Sequence, residues 1–178
     1  MIKAIAKALV ALNSNVRKEQ IAAGFACGVL LALVPAGNLL WFALFVLTFF
    51  FKLNYGVQLL AACVVKVIAL ALIPLLDAVG WALLNLEGLR GAYTVLYNLP
   101  VAPLTRFNNT VVAGGLVVGL AAWIPLFFAM RAFVSVYRAK LAPRIAESKA
   151  YKAFLKLPLV NKLALAIAKA NDFAGALN

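Results

Sequence analysis

The sequence has no histidine, only five acidic residues and only two cysteines in 178 residues. Each shortage removes a class of function. Two thiols without histidine cannot complete a zinc shell. Cys27 and Cys63 both lie inside apolar runs, where they are expected to be small buried hydrophobes. The acids are Glu19, Asp77, Glu87, Glu147 and Asp172, and no two form a close pair at helical spacing. Asp77 and Lys66 share a face but would lie about 16 Å apart along a straight helix. No nucleophile, acid–base pair or metal set emerges. The chain is therefore expected not to be an enzyme, with no catalytic residue, cofactor or metal assigned.

Charge is scarce as well, at 12% of residues, and it is one-sided: 17 Lys and Arg against 5 acids give +12. Apolar residues make up 66% of the chain and the mean hydropathy is +1.02. An ordinary soluble domain is about 45–50% apolar and about 25% charged. A soluble fold of this composition would leave large apolar patches in water. Lipid is the better solvent, so an all-α integral membrane protein of one domain is expected. The bases flank apolar runs, which points to anionic lipid headgroups and not to nucleic acid. Lys3 and Lys7 interrupt the first apolar positions, and Arg17 and Lys18 precede any long apolar run. A cleaved signal would place its charges first and an unbroken apolar stretch after them, so none is expected.

Along the chain, residues 1–20 read as an amphipathic interfacial helix, with Ile2, Ile5, Leu9 and Leu12 at helical spacing. A membrane domain is expected over 21–130. Its first apolar stretch, 21–51, is broken by Pro35-Ala36-Gly37-Asn38 into halves of 14 residues (21–34) and 13 residues (39–51). Each half is about 20 Å long as a helix, against a hydrocarbon core of about 30 Å. A re-entrant hairpin fits these lengths, with its turn shielded by protein or water; two short tilted spans are the alternative. Residues 57–77 read as a span with Lys66 near its centre and Pro74 kinking or ending it. Twelve Leu, Ile and Val residues between Val57 and Leu76 favour insertion by roughly 5 kcal/mol, and a central lysine opposes it by about 2.5–3.5 kcal/mol. Lys66 should therefore face protein or water. Residues 78–109 read as an outside segment rich in interfacial aromatics, and 110–130 as the strongest span. Asn108-Asn109-Thr110 is taken as a polar helix start.

Residues 131–178 form a basic tail with nine Lys or Arg. Lys149, Lys152 and Lys156 fall within about 60° on a helical wheel, opposite Tyr151, Phe154 and Leu155. These lysines are the expected contacts to anionic lipid. Four bases precede Ile21, nine follow Met130, and only Arg90 and Arg106 lie between Glu87 and Asn109. The positive-inside rule then puts both termini in the cytosol and the 78–109 segment outside. An even number of crossings agrees.

Asn13-Ser14-Asn15, the run Gln20 to Gly28, Pro35 and Leu53-Asn54 resemble a widespread bacterial membrane domain of unknown function. Leu96-Tyr97-Asn98-Leu99-Pro100 and Leu104 to Thr110 resemble a narrower subfamily of short inner-membrane proteins, over roughly residues 1–140. Members of that subfamily are often encoded beside a large AsmA-like envelope protein, similar to bridge-like proteins proposed to carry phospholipid between membranes. The resemblance implies such a partner and brings no catalytic residues.

Three readings follow. The first is a subunit of the bacterial inner membrane that anchors an AsmA-like bridge and assists phospholipid transfer. Gly24 and Gly28, and Gly115 and Gly119, stand four apart and offer close helix approach, either internally or to a partner. The second is a stand-alone transporter or lipid-binding protein that uses the broken hairpin. Pro35, Gly37, Asn38 and Lys66 would then form a polar pocket for a lipid headgroup, unless Lys66 only snorkels or bonds carbonyls at the turn. The third, a membrane enzyme, has no residues to support it.

Overall fold

Asparagine starts three of the helices in the computed structural model, which describes residues 16–141. Asn38 Oδ1 accepts from Trp41 N at 2.8 Å, Asn54 Oδ1 from Val57 N at 3.0 Å, and Asn109 Oδ1 from Val112 N at 3.1 Å. Each bond satisfies a first-turn N–H that the helix itself cannot pair, a contribution of about 1 kcal/mol in water. The described residues are helical, with no strand among them. They comprise α1 (Lys18–Leu33), α2 (Leu39–Leu47, extended by a 3-10 turn Thr48–Phe50), α3 (Tyr55–Ala71), α4 (Ile73–Leu84), α5 (Arg90–Tyr97) and α6 (Thr110–Val136). Those up to Ser135 form one compact unit, and Val136 onward belongs to a second, with a π-helical turn at Tyr137–Leu141. The expected helix over 1–20 falls outside the described residues except for its last five. So does the tail from 142, with Lys149, Lys152 and Lys156.

Two prolines set the breaks. Val34 precedes Pro35, which disfavours the helical region for it, and its φ/ψ of −79°/125° is extended. Gly37 then takes φ +87°, a left-handed value that glycine reaches without strain. The chain reverses there into α2. The stretch expected as one span over 57–77 is two helices, α3 and α4, bent by 80° at Leu72. Pro74 has no N–H for the Leu70 carbonyl, and its ring would crowd that carbonyl in a straight helix. It is accommodated in the first turn of α4, where an N–H is not needed.

α1 lies at the centre, with Ile21, Ala22, Gly24 and every residue from Ala26 to Leu33 buried. A polar or narrow apolar stripe cannot explain that, and the sequence of α1 shows none. Glycine makes the crowding possible. A Cβ on Gly24 would come 2.5 Å from Asn54 O, and one on Gly28 would collide with Gln58 O, so α3 runs beside α1 in the same direction. A Cβ on Gly115 would sit 2.5 Å from Leu33 O, and one on Gly119 2.5 Å from Leu30 Cδ1. Glu19 pairs with Arg131 at 3.3 Å, and Trp123 Nε1 reaches Cys27 Sγ at 3.4 Å, so α6 runs antiparallel to α1. α4 crosses the start of α6 where Gly80 and Gly114 face each other backbone to backbone. Val29 and Leu33, Ala69 and Leu76 form the apolar core between these helices.

α6 lies within the one helical stretch of the described residues long and apolar enough to cross a membrane. Its 27 residues extend roughly 40 Å, against roughly 24 Å for the 16 residues of α1. α3 and α4 reach such a length only as a bent pair.

Gly80→Ala should destabilise the bundle by about 1–3 kcal/mol, because the new methyl meets the Thr110 backbone and not a movable side chain. Gly88→Ala, with open space around it, should change nothing. Thermal unfolding of the full chain in detergent measures the difference, and equal melting of the two variants would contradict the glycine contact.

Candidate functional site

The C-terminal carbonyls of α1 have no partner within their own helix, and in an apolar setting water cannot supply one. Two side chains do so. Lys66 Nζ, projecting from the middle of α3, donates to Ala32 O and Val34 O, both at 3.0 Å. Trp41 Nε1 donates to Leu31 O at 2.9 Å. In the turn that follows, Asn38 Nδ2 donates to Pro35 O at 2.7 Å, while its Oδ1 caps α2. An ammonium at a helix C-terminus also meets the negative end of the helix dipole. The lysine in the middle of an apolar helix thus has a structural partner close at hand.

Pro35, Gly37, Asn38 and Lys66 are accordingly gathered at one end of the α1–α2 hairpin. Their bonds run to the protein itself. Both amide atoms of Asn38 and two of the three Lys66 donors are engaged, and Gly37 is exposed with nothing near its missing side chain. Neither of the two clefts described below is lined by any of the four. Lys66 bonds the last carbonyls of α1, next to the Pro35–Asn38 turn. Gly24, Gly28, Gly115 and Gly119 all face neighbouring helices of the same chain.

The acids are dispersed. Glu19 pairs with Arg131, and Asp77 accepts from the Thr110 hydroxyl across the α4–α6 crossing. Neither meets Lys66.

A cleft of about 440 Å³ opens beyond α4. Leu84, Tyr93, Tyr97 and Phe107 give it apolar surface, and Arg90, Thr94, Asn98 and Asn108 give it polar groups. Tyr93 fixes its shape. Its hydroxyl donates to Leu83 O at 3.1 Å, and its ring lies 6.3 Å from that of Phe107. A smaller crevice of about 230 Å³ lies between Phe25, α3 and Met130 and is lined only by apolar atoms. Composition and charge counts did not single out the larger cleft. A sharper signal was present, because Arg90, Tyr93, Thr94 and Tyr97 stand at i, i+3, i+4 and i+7 on one helix face.

Lys66→Leu should strand the Ala32 and Val34 carbonyls, at about 1–3 kcal/mol for each unmet group. Lys66→Arg, which keeps donors and charge, should retain more of the stability. Melting of the full chain in detergent tests both variants. A Leu variant as stable as the parent would remove the capping role.

No protein-family model matches the chain, and no solved structure matches it. It is 34% identical over 163 residues to an uncharacterized protein of Treponema pallidum (strain Nichols). That match covers 91% of this chain and 100% of the relative. It includes the hairpin, the lysine helix and the cleft segment together. By this extent of likeness, the chain belongs to the same family as the Treponema pallidum protein.

Proposed function

We propose that this chain is a non-enzymatic, multi-pass protein of the bacterial inner membrane that anchors an AsmA-like bridge protein and assists phospholipid transfer to or from the outer membrane. The observation that carries the membrane part is the distribution of side chains over the bundle. Arg17, Lys18, Glu19, Lys52 and Arg131 gather where α1 and α3 begin and α6 approaches its end. Asp77, Glu87, Arg90 and Arg106 belong to the segments around the opposite end, where α4 crosses α6. Between the two ends the perimeter is apolar: Val67 is 72% exposed, Ile68 55% and Ile124 61%. Water would not tolerate so continuous a surface, and lipid matches it. In this reading α6 and the bent α3–α4 pair are the crossings, and α1–α2 is a re-entrant hairpin whose polar tip is covered by its own donors and by Lys66.

The partner part rests on the resemblance of Leu96–Pro100 and Leu104–Thr110 to the subfamily paired with AsmA-like proteins. Its support from geometry is local. Tyr97, Asn98, Phe107 and Asn108 come from those two segments and share one cleft on the side opposite the basic end. A bridge protein that collects lipid outside the inner membrane would have to dock on that side.

Two measurements test these parts separately. Mild-detergent purification of the tagged full chain from its native host should recover a large AsmA-like protein and phospholipid. The chain recovered alone would sink the partner reading. In a background with Cys27→Ala and Cys63→Ala, Ala36→Cys at the exposed hairpin tip should resist an impermeant maleimide added from outside, while Gly88→Cys should react. Labelling of both positions would instead mean that the hairpin crosses fully.

A further inference from the structure

We infer that the cleft between α5 and Phe107–Asn108 binds the phosphate of a phosphate ester, presented by the headgroup of a phospholipid. This rests on the membrane part of the reading above and names the ligand chemistry that the site would take.

The orientation of α5 is the first reason. An eight-residue amphipathic helix in water hides its apolar side and shows its polar side. α5 leaves both sides open. Arg90, Tyr93, Thr94 and Tyr97 line an open cleft, with Tyr97 58% exposed, and Val95 and Leu96 on the outer side are 65% and 40% exposed. Leu99, Val101 and Leu104 continue that outward apolar surface at 48%, 55% and 63% exposure. A helix placed this way sets an apolar surface suited to lipid tails beside an open, polar-lined cleft.

The donor inventory is the second reason. Some of the lining groups are already engaged and only build the walls. Tyr93 donates to Leu83 O, Thr94 Oγ1 donates to Arg90 O at 2.9 Å, and Asn98 Nδ2 donates to Thr94 O at 2.9 Å. The Arg90 guanidinium, the Tyr97 hydroxyl and the Asn108 amide carry no such bond among the described residues. Arg90 makes no ion pair with Glu87, one turn earlier; the ion pair among the described residues is Glu19–Arg131. No acid lines the cleft, so its one formal charge is positive. A planar guanidinium beside a hydroxyl and an amide suits the oxygens of a phosphate, which arginine grips in a bidentate manner.

Size and location narrow the source. About 440 Å³ falls in the lower part of the range for small-ligand sites, roughly 300–1,000 Å³. It holds a headgroup and not a whole diacyl lipid. The 80° bend after α3 and the Gly80–Gly114 crossing set this region beside the start of α6. Headgroups lie there in the proposed membrane reading, with acyl chains free to follow the apolar exterior.

The test is native mass spectrometry of the full chain in mild detergent, titrated with four probes: phosphatidylglycerol, diacylglycerol, glycerol 3-phosphate and inorganic phosphate. Phosphatidylglycerol should be retained, and Arg90→Gln should weaken it about tenfold. Arg106→Gln, which removes a base that does not line the cleft, should leave retention unchanged. Tyr97→Phe and Asn108→Ala should each weaken it less than Arg90→Gln, and they probe the same site if Arg90→Gln does not fold. Diacylglycerol retained as well as phosphatidylglycerol would overturn the phosphate contact. Glycerol 3-phosphate or inorganic phosphate bound as tightly as the lipid would overturn the lipid source. Phosphatidylglycerol retained equally by the parent and all cleft variants would overturn this site while leaving the lipid-transfer reading standing. No phospholipid retention by any form would overturn both.

Discussion

A helix that stops among apolar surroundings leaves carbonyls that nothing but the protein can satisfy, and the architecture follows from how this chain meets that demand. α1 ends at Leu33 because Pro35 holds Val34 out of the helical region. Its last carbonyls are then bonded by Lys66 from α3 and by Trp41 from α2. For Lys66 to arrive there, α3 must run alongside α1 in the same direction, and α2 must carry the chain back to let it do so. The parallel pair, the short return helix and the lysine in an apolar segment are therefore one solution and not three features. A charged hydrogen bond of this kind contributes about 1.5–3 kcal/mol, which offsets much of what a lone lysine at mid-depth would oppose.

Close approach supplies the rest. In the proposed membrane setting lipid would give helices little hydrophobic reason to associate, so contact would depend on packing. Gly24 and Gly28 admit α3 to one side of α1, Gly115 and Gly119 admit α6 to another, and Gly80 and Gly114 lock α4 across the start of α6. This last crossing also determines where α5 and the Arg106–Asn109 turn lie. The cleft is thus built on a backbone contact between two glycines some distance from its own lining.

Much of this was legible from residues alone. The break at Pro35–Asn38 follows from proline chemistry, the two halves follow from their lengths, and Pro74 marks the second break. Lys66 announced that it needed a partner, though which carbonyls it would meet depends on helix direction, and no local pattern encodes that. The four glycines of the two GxxxG pairs were readable as sites of close approach, while Gly80 and Gly114, separated by 34 positions (80 to 114), were not. The cleft was missed for a physical reason. α5 is short and amphipathic, and in the usual case its polar face would simply be solvated. What draws attention to it is the apolar exposure of Val95 and Leu96 beside the cleft, and exposure is a tertiary property.

The capping of α1 by Lys66 also constrains how the chain is made. The lysine follows Val34 by 32 residues. Until α3 has emerged from the ribosome, the hairpin carries bare carbonyls and a central helix with no cover. α6, which closes another side of α1, is synthesised later still. An insertion machinery that releases segments into lipid one at a time would release α1 in its least tolerable state. In the proposed membrane setting the hairpin would have to be held, or to wait at the interface, until downstream helices reach it, and the order of synthesis would then bear on its assembly alongside the hydrophobicity of its own residues.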